Sequence, residues 1–144
     1  MSLETFCIGS QVINSLLELD FKVRGTVRVQ KPWLDELFEA KYGKGRFESV
    51  ILSGFEDVDA LRDCMEGVDG VFHVESDVSF IWDPNVVMKR TVAAMENLLE
   101  AASRAYVKRV VLTSSSAAAV YNKPDVDEMI VTADTWNDAA VKQA

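Results

Sequence analysis

A cluster of hydroxyl-bearing residues follows an apolar run in the stretch Val107–Tyr121, which reads VKRVVLTSSSAAAVY. The apolar run Val110–Leu112 is typical of a buried parallel strand, and Thr113 and Ser114–Ser116 come directly after it. Ligands of open α/β sheets bind outside the carboxyl ends of the strands, where these hydroxyls would form hydrogen bonds. The alternative is that the small residues only allow a tight turn past a helix.

The elements that must position this cluster alternate along the chain. Amphipathic helices are expected from near Ser10, from Trp33 to about Tyr42, from Val58 to about Met65, from Pro84 to about Ala105 and, in the tail, from about Asn137. Strands are expected at Phe21–Arg28, Phe47–Leu52, Val71–Val74 and Val107–Thr113. This order with short connections predicts an α/β fold, a Rossmann-like doubly wound parallel sheet, in a single domain over residues 1–144.

The expected sheet lacks a full first strand. Only Met1–Gly9 precedes the first helix, and Leu3–Ile8 would supply a short strand at best. A doubly wound sheet usually begins with a strand that becomes central, followed by a tight glycine turn. Without that strand its two neighbours would keep unpaired edges, so we expect the first strand to be cut or rewritten.

Composition and charge exclude several classes of function. A formal net charge of −8 opposes binding to nucleic acid or to an anionic membrane surface. The two cysteines and the single histidine have no spacing typical of a metal site, and we interpret His73 as a core residue. No apolar run reaches the roughly 18 residues of a membrane span and no signal peptide is visible, so a cytoplasmic protein is expected.

Several blocks of the chain together resemble the extended short-chain dehydrogenase/reductase family, which is NAD-dependent epimerase/dehydratase-like. The blocks are FKVRGTVR at Phe21–Arg28, KYGKGRF at Lys41–Phe47, EGVDGVFHV at Glu66–Val74, and Val107–Tyr121. The similarity is greatest to the fungal NADPH-dependent aldehyde and ketone reductases, related to dihydroflavonol and cinnamoyl-CoA reductases. It implies the cofactor-binding half of a carbonyl reductase, with NADPH as cofactor and a small carbonyl substrate. It also implies truncation at both ends, with the substrate lobe missing.

The resemblance assigns cofactor-binding roles residue by residue. Gly9 matches the last glycine of the family's pyrophosphate-binding turn, whereas Leu3 and Phe6 stand at the earlier glycine positions. Arg28 matches the arginine that receives the 2′-phosphate of NADPH, although by itself it also fits a solvated strand end. The other assigned positions are Val74, Ser76 and Thr113, and the cations that could assist are Arg24 and Lys31.

Three positions near the cofactor depart from the family pattern. Ser53 stands where the family has an aspartate that holds the adenine amino group. Glu75 and Asp77 replace an alanine and a proline beside the nicotinamide. These carboxylates would repel the cofactor phosphates, unless they lie in an exposed loop or pair with a lysine.

The family's catalytic serine matches Ser115, with Ser114 and Ser116 as alternates. It would hydrogen-bond the substrate carbonyl oxygen as hydride arrives and stabilise the developing negative charge. Its family partners are a tyrosine proton donor and a lysine four residues later. None of the three tyrosines has a lysine at that spacing, because Tyr42 is followed there by Arg46, Tyr106 by Val110 and Tyr121 by Asp125. A general acid contributes about 10²–10⁴-fold, so we expect little or no turnover and weak dinucleotide binding.

An interaction module and a flavodoxin-like domain are the two alternative classes of function. A non-catalytic interaction module or degenerate fragment would use its uncovered sheet edge or apolar surface to bind a partner or to self-associate. A flavodoxin-like receiver or flavin domain is the third hypothesis. A receiver needs an acidic pair after its first strand, and Met1–Gly9 contains no such pair.

Overall fold

The computed structural model describes residues 3–74, 83–119 and 130–136, within which helices and strands alternate. The helices are α1 (Leu3–Glu18), α2 (Pro32–Tyr42), α3 (Val58–Cys64) and α4 (Pro84–Arg104). The strands are β1 (Val23–Val27), β2 (Phe47–Ile51), β3 (Gly70–His73) and β4 (Arg109–Leu112), and a 3₁₀ turn, Ser116–Ala118, follows β4. The short helix expected from Asn137 lies outside the described residues.

The strands pair in parallel, as the order of elements predicts. β1 pairs with β2 in the register Val23 to Phe47, and β3 pairs with β4 in the register Gly70 to Arg109. Val23 packs in the apolar cluster of α1 and α2, whereas the next residue, Arg24, reaches the end of α3. Because successive side chains of a strand point to opposite faces, helices cover both faces of β1. The Rossmann-like, doubly wound fold class is therefore confirmed.

The amino-terminal segment differs from the expectation. α1 begins at Leu3 rather than near Ser10, so Leu3–Ile8 is helical and forms no strand. Among the described strands, β1 and β3 consequently have one neighbour each, in two separate two-stranded sheets. A helix satisfies its own backbone groups through local hydrogen bonds, whereas a central strand needs two partners in register. The expected loss of the first strand is thus observed, and the expected helix start is wrong.

The hydrogen-bond pattern shows which residues face the open edges. The Val23 N–H bonds to the Arg46 carbonyl at 2.9 Å, and the Val27 carbonyl accepts from the Leu52 N–H at 2.9 Å. Alternate residues of a parallel strand bond to the same neighbour, so Arg24 and Thr26 direct their backbone groups away from β2. This edge of β1 is where a further parallel strand would pair.

The β1–β2 half has its own apolar core beneath α1 and α2. Its buried members are Leu17, Leu34, Phe38 and Phe47. The rings of Phe38 and Phe47 lie 4.7 Å apart between centroids. A Cβ atom on Gly25 would lie 3.0 Å from the Phe47 ring, so a larger residue here would push the ring by a few tenths of an ångström, and the close packing of strand against ring favours glycine.

The second half is held by a larger apolar cluster between α3 and α4. Its buried members are Leu52, Leu61, Met65, Leu98, Ala101 and Ala102. The Asp57 carboxylate caps α3 by accepting from the N–H groups of Asp59 and Ala60, both at 3.0 Å. Gly67, two residues after the C-cap residue Met65, has a φ of 71°, a left-handed conformation that favours glycine.

No helix within the described ranges combines the length and the apolar character that crossing a bilayer requires.

Candidate functional site

Arg28 and Ser53 lie together at the carboxyl ends of β1 and β2. The Leu52 N–H donates to the Val27 carbonyl at 2.9 Å, and Arg28 and Ser53 are the residues that follow these two. Both side chains are exposed, and Lys31 follows closely at the N-cap position of α2. A cation and a hydroxyl therefore stand side by side at the edge where doubly wound folds bind ligands.

Val74 and the hydroxyl cluster lie at the corresponding ends of β3 and β4. The Thr113 N–H donates to the His73 carbonyl at 2.9 Å, which aligns the ends of these strands. Thr113 and Ser114–Ser116 are exposed, and the Ser115 carbonyl accepts from Ala118 N–H at 3.0 Å at the start of the 3₁₀ turn. Ser76, Glu75 and Asp77 lie outside the described residues. The structure thus places Val74 and the hydroxyl cluster side by side, at the carboxyl ends of β3 and β4.

Gly9 is placed differently from a glycine in a phosphate-binding turn. It is the seventh residue of α1, and an added Cβ atom would meet nothing within 4 Å. Only the first four N–H groups of a helix are free to bind an anion, and Gly9 lies beyond them. Within the described residues, α1 therefore forms no strand–turn–helix of the kind that binds a pyrophosphate.

The two described tyrosines lie far from Ser115 in the fold. Tyr42 donates its hydroxyl to Asn14 Oδ1 at 2.5 Å, on the face covered by α1 and α2. Tyr106 precedes β4, whereas Ser115 follows it, so the strand separates the two. Within the described part of the chain, no tyrosine is positioned to give a proton to a carbonyl oxygen held by Ser115.

Arg24 is engaged by the end of α3, four residues along the chain from Arg28. Its guanidinium donates to the Cys64 and Glu66 carbonyls at 3.0 and 2.9 Å, and pairs with Glu48 at 2.5 Å. These contacts tie β1 to the end of α3 and occupy the Arg24 guanidinium there. Burial raises the pKa of the Cys64 thiol, although Arg24 opposes the change.

Two open cavities lie away from the predicted site residues. One, of about 480 Å³, separates α1 from β3 and is lined by Ile8, Gln11, Val12, Ser15, Leu16 and Phe72. The other, of about 690 Å³, adjoins Arg24 and α3. Neither of these two cavities is lined by Arg28, Val74 or the serines, and Arg28, Thr113 and Ser114–Ser116 are exposed.

His73 is half-buried and packs edge-on against Phe55, with the ring centroids 5.1 Å apart. This contact supports its interpretation as a core residue. Within the described ranges, no three His, Cys, Asp or Glu side chains lie together in a way that could hold a metal ion.

A carboxylate that the sequence analysis missed supports the Arg28 loop. Asp35, in the first turn of α2, accepts hydrogen bonds from Ser49 N–H at 2.8 Å and Ser49 Oγ at 2.6 Å. The bonds tie the start of α2 to the middle of β2, and the loop Arg28–Lys31 joins β1 to this helix. Neither residue type nor spacing distinguishes Asp35 from the other acidic residues of α2.

Replacing Asp35 with alanine should lower the free energy of unfolding by about 1–3 kcal/mol, because two half-buried hydrogen bonds to a carboxylate are lost. Urea denaturation measures the loss. Asp35→Asn should recover part of it, since the amide oxygen still accepts from the Ser49 N–H. Glu36→Ala removes the same charge from an exposed position of the same helix. An equal loss in Glu36→Ala would contradict this role.

Comparison with protein families matches residues 5–139 to the NAD dependent epimerase/dehydratase family. Curated relatives include ketoreductase nvfG of Aspergillus novofumigatus, 43% identical over 142 residues, and aldehyde reductase 2 of Sporidiobolus salmonicolor, 34% identical over 145 residues. Each alignment covers 95% of this chain but only 41% and 40% of the relative. The chain thus spans about two fifths of the length of these relatives.

Solved structures are similar over the same region. The crystal structure of gox2253 has a TM-score of 0.60 and 31% sequence identity, and covers 83% of this chain and 34% of that one. Pen from Bacillus thuringiensis also has a TM-score of 0.60, with 28% identity over 77% of this chain and 35% of that one. These structures share the α/β fold described above.

Proposed function

Because the chain belongs to the NAD dependent epimerase/dehydratase family, we propose that it binds NADPH weakly and reduces carbonyl compounds slowly or not at all. The family and the reductase relatives imply a nicotinamide dinucleotide as cofactor. The preference for NADPH, the weakness of binding, a single domain and a cytoplasmic location are parts of this proposal. A small carbonyl compound is the proposed substrate class, in keeping with the names of the relatives.

The observation that carries the proposal is the position of Arg28 directly after β1. A guanidinium there donates to phosphate oxygens, and the charged hydrogen bonds would favour a 2′-phosphate over the hydroxyl of NADH. Val74 and Thr113, at the ends of β3 and β4, are the proposed contacts of the nicotinamide half. Gly9 and Ser76 stay predictions from the family match.

Low turnover is proposed because neither tyrosine of the described ranges, Tyr42 or Tyr106, lies at the end of β4 where Ser115 stands. Ser115 would hold a substrate carbonyl oxygen at the end of β4, and Ser114 and Ser116 are its alternates. Polarising the carbonyl stabilises negative charge, but the oxygen must still receive a proton. Tyr42 and Tyr106 are in no position to supply it.

Oxidation of NADPH by the purified chain, with small aldehydes and ketones as substrates, tests the proposal. We expect a rate indistinguishable from the rate without protein, and no further change in Ser115→Ala. The fungal aldehyde reductase serves as the positive control. Clear turnover that disappears in Ser115→Ala would overturn the proposed lack of activity.

A second candidate function is a non-catalytic interaction module that self-associates. The observation that favours it is the unpaired edge of β1, together with the apolar cavity beside Phe72, whose side chain is 47% exposed. Open edges and apolar patches of this kind promote association. Light scattering across a range of concentrations should then show a mass that rises above that of the monomer. A monomer at all concentrations, without binding of an apolar dye, would exclude this candidate.

A further inference from the structure

The register of β1 and β2 fixes which backbone groups of β2 point away from β1. The Arg46 carbonyl and the Leu52 N–H, on either side of β2, both bond to β1 at 2.9 Å. Alternate residues of a parallel strand bond to the same neighbour, so Phe47, Ser49 and Ile51 direct their backbone groups to the opposite side. This side is the outer edge of β2, and no strand among the described residues pairs with it.

A carboxylate from α2 occupies the middle of the outer edge. The Ser49 N–H donates to Asp35 Oδ1 at 2.8 Å, and the Ser49 hydroxyl donates to Asp35 Oδ2 at 2.6 Å. Both residues are half-buried, so the contact is partly shielded from water. A strand that adds to an edge bonds to its outward N–H and C=O groups. Pairing at the centre of this edge therefore requires that Asp35 first release the Ser49 N–H.

The sequence of β2 favours pairing with a second copy of itself. Three of its five residues, FESVI, are aromatic or β-branched, and the Ile51 side chain is 58% exposed. An antiparallel pair of two such edges has Ser49 opposite Ser49 at its centre, and Phe47 then lies opposite Ile51. The charged Glu48 lies opposite Val50, so no like charges face each other across the pair.

We propose that Asp35 closes the outer edge of β2 and so keeps a second copy of this chain from pairing with it. Once the carboxylate is removed, the partner of the edge is the same edge of the copy, in antiparallel orientation. The inference goes beyond the proposed function and holds whether or not the chain binds NADPH, because no cofactor contact takes part in it.

Sedimentation velocity of Asp35→Ala across a range of concentrations tests this inference. We expect self-association at concentrations at least about tenfold lower than for the unaltered chain, because an incoming strand no longer has to displace a charged hydrogen-bond acceptor. Asp35→Asn should behave as the unaltered chain does, since the amide oxygen still accepts from the Ser49 N–H. Equal self-association of Asp35→Ala and the unaltered chain, or of Asp35→Ala and Asp35→Asn, would overturn the inference.

Two further variants separate the opened edge from a loss of stability. Leu61→Ala removes a buried side chain and leaves Asp35 in place, so the folded variant should associate no more than the unaltered chain. Adding Ser49→Pro to Asp35→Ala removes the outward N–H but no bond to β1, and an edge strand tolerates proline at such a position. This double variant should return to the behaviour of the unaltered chain. Leu61→Ala associating as strongly as Asp35→Ala, or a folded double variant that still associates, would overturn the inference.

Discussion

Replacing Leu61 with alanine should lower the free energy of unfolding by about 2–5 kcal/mol, the range for large-to-small changes in a core. Leu61 is 1% exposed at the centre of the cluster between α3 and α4. Alanine would leave a cavity that Leu98 and Met65 line and that the helices close only in part. Urea denaturation followed by circular dichroism measures the difference.

Leu37→Ala is the matched control for this loss. Leu37 lies on α2 with 55% of its surface exposed, so the same change of side chain removes little buried area. We expect a change within about 0.5 kcal/mol, as for other surface substitutions. Equal losses in the two variants would mean that the cluster around Leu61 is not the core of this half.

Replacing Arg28 with alanine should weaken NADPH binding by about 10- to 100-fold and leave NADH binding unchanged. A hydrogen bond to a charged group contributes about 1.5–3 kcal/mol, and each 1.4 kcal/mol is a factor of ten in affinity. Only NADPH carries the 2′-phosphate that this guanidinium is proposed to bind. Calorimetry with both cofactors gives the ratio of affinities directly.

Lys22→Ala controls for the loss of one positive charge. Lys22 is exposed just before β1, at the opposite end of the strand from Arg28. Its removal should change NADPH affinity by less than about twofold, since an exposed charge more than a Debye length away is screened by salt. A similar loss in both variants would point to a general charge effect and remove the specific role of Arg28.

Most of the fold could be predicted from the hydrophobic periodicity of the sequence. The alternation in Phe21–Arg28 and the stripe of the helix after Pro84 each predict one element, and both elements are found close to the expected bounds. The segment Leu3–Ile8, which could supply a short strand at best, is helical instead. Without a partner on either side, six residues gain more from extending an adjacent helix than from forming a lone strand.

The sequence predicts less of the candidate site than of the fold. The ends of strands locate Arg28 and Ser115 at the ligand-binding edge, because parallel pairing fixes that edge for every strand. The Asp35–Ser49 contact spans 14 residues and uses common polar residues, so no local pattern reveals it. The engagement of Arg24 with the end of α3 is likewise a product of tertiary packing across 40 residues.

Among the described strands, β1 and β3 each have one unpaired edge, so no strand pairing links the β1–β2 pair to the β3–β4 pair. Side chains link them instead: Arg24 of β1 donates to the Cys64 carbonyl, and Leu52, which follows β2, packs in the apolar cluster between α3 and α4. Within the described residues, the two strand pairs are therefore joined by side-chain packing and not by a continuous hydrogen-bond ladder.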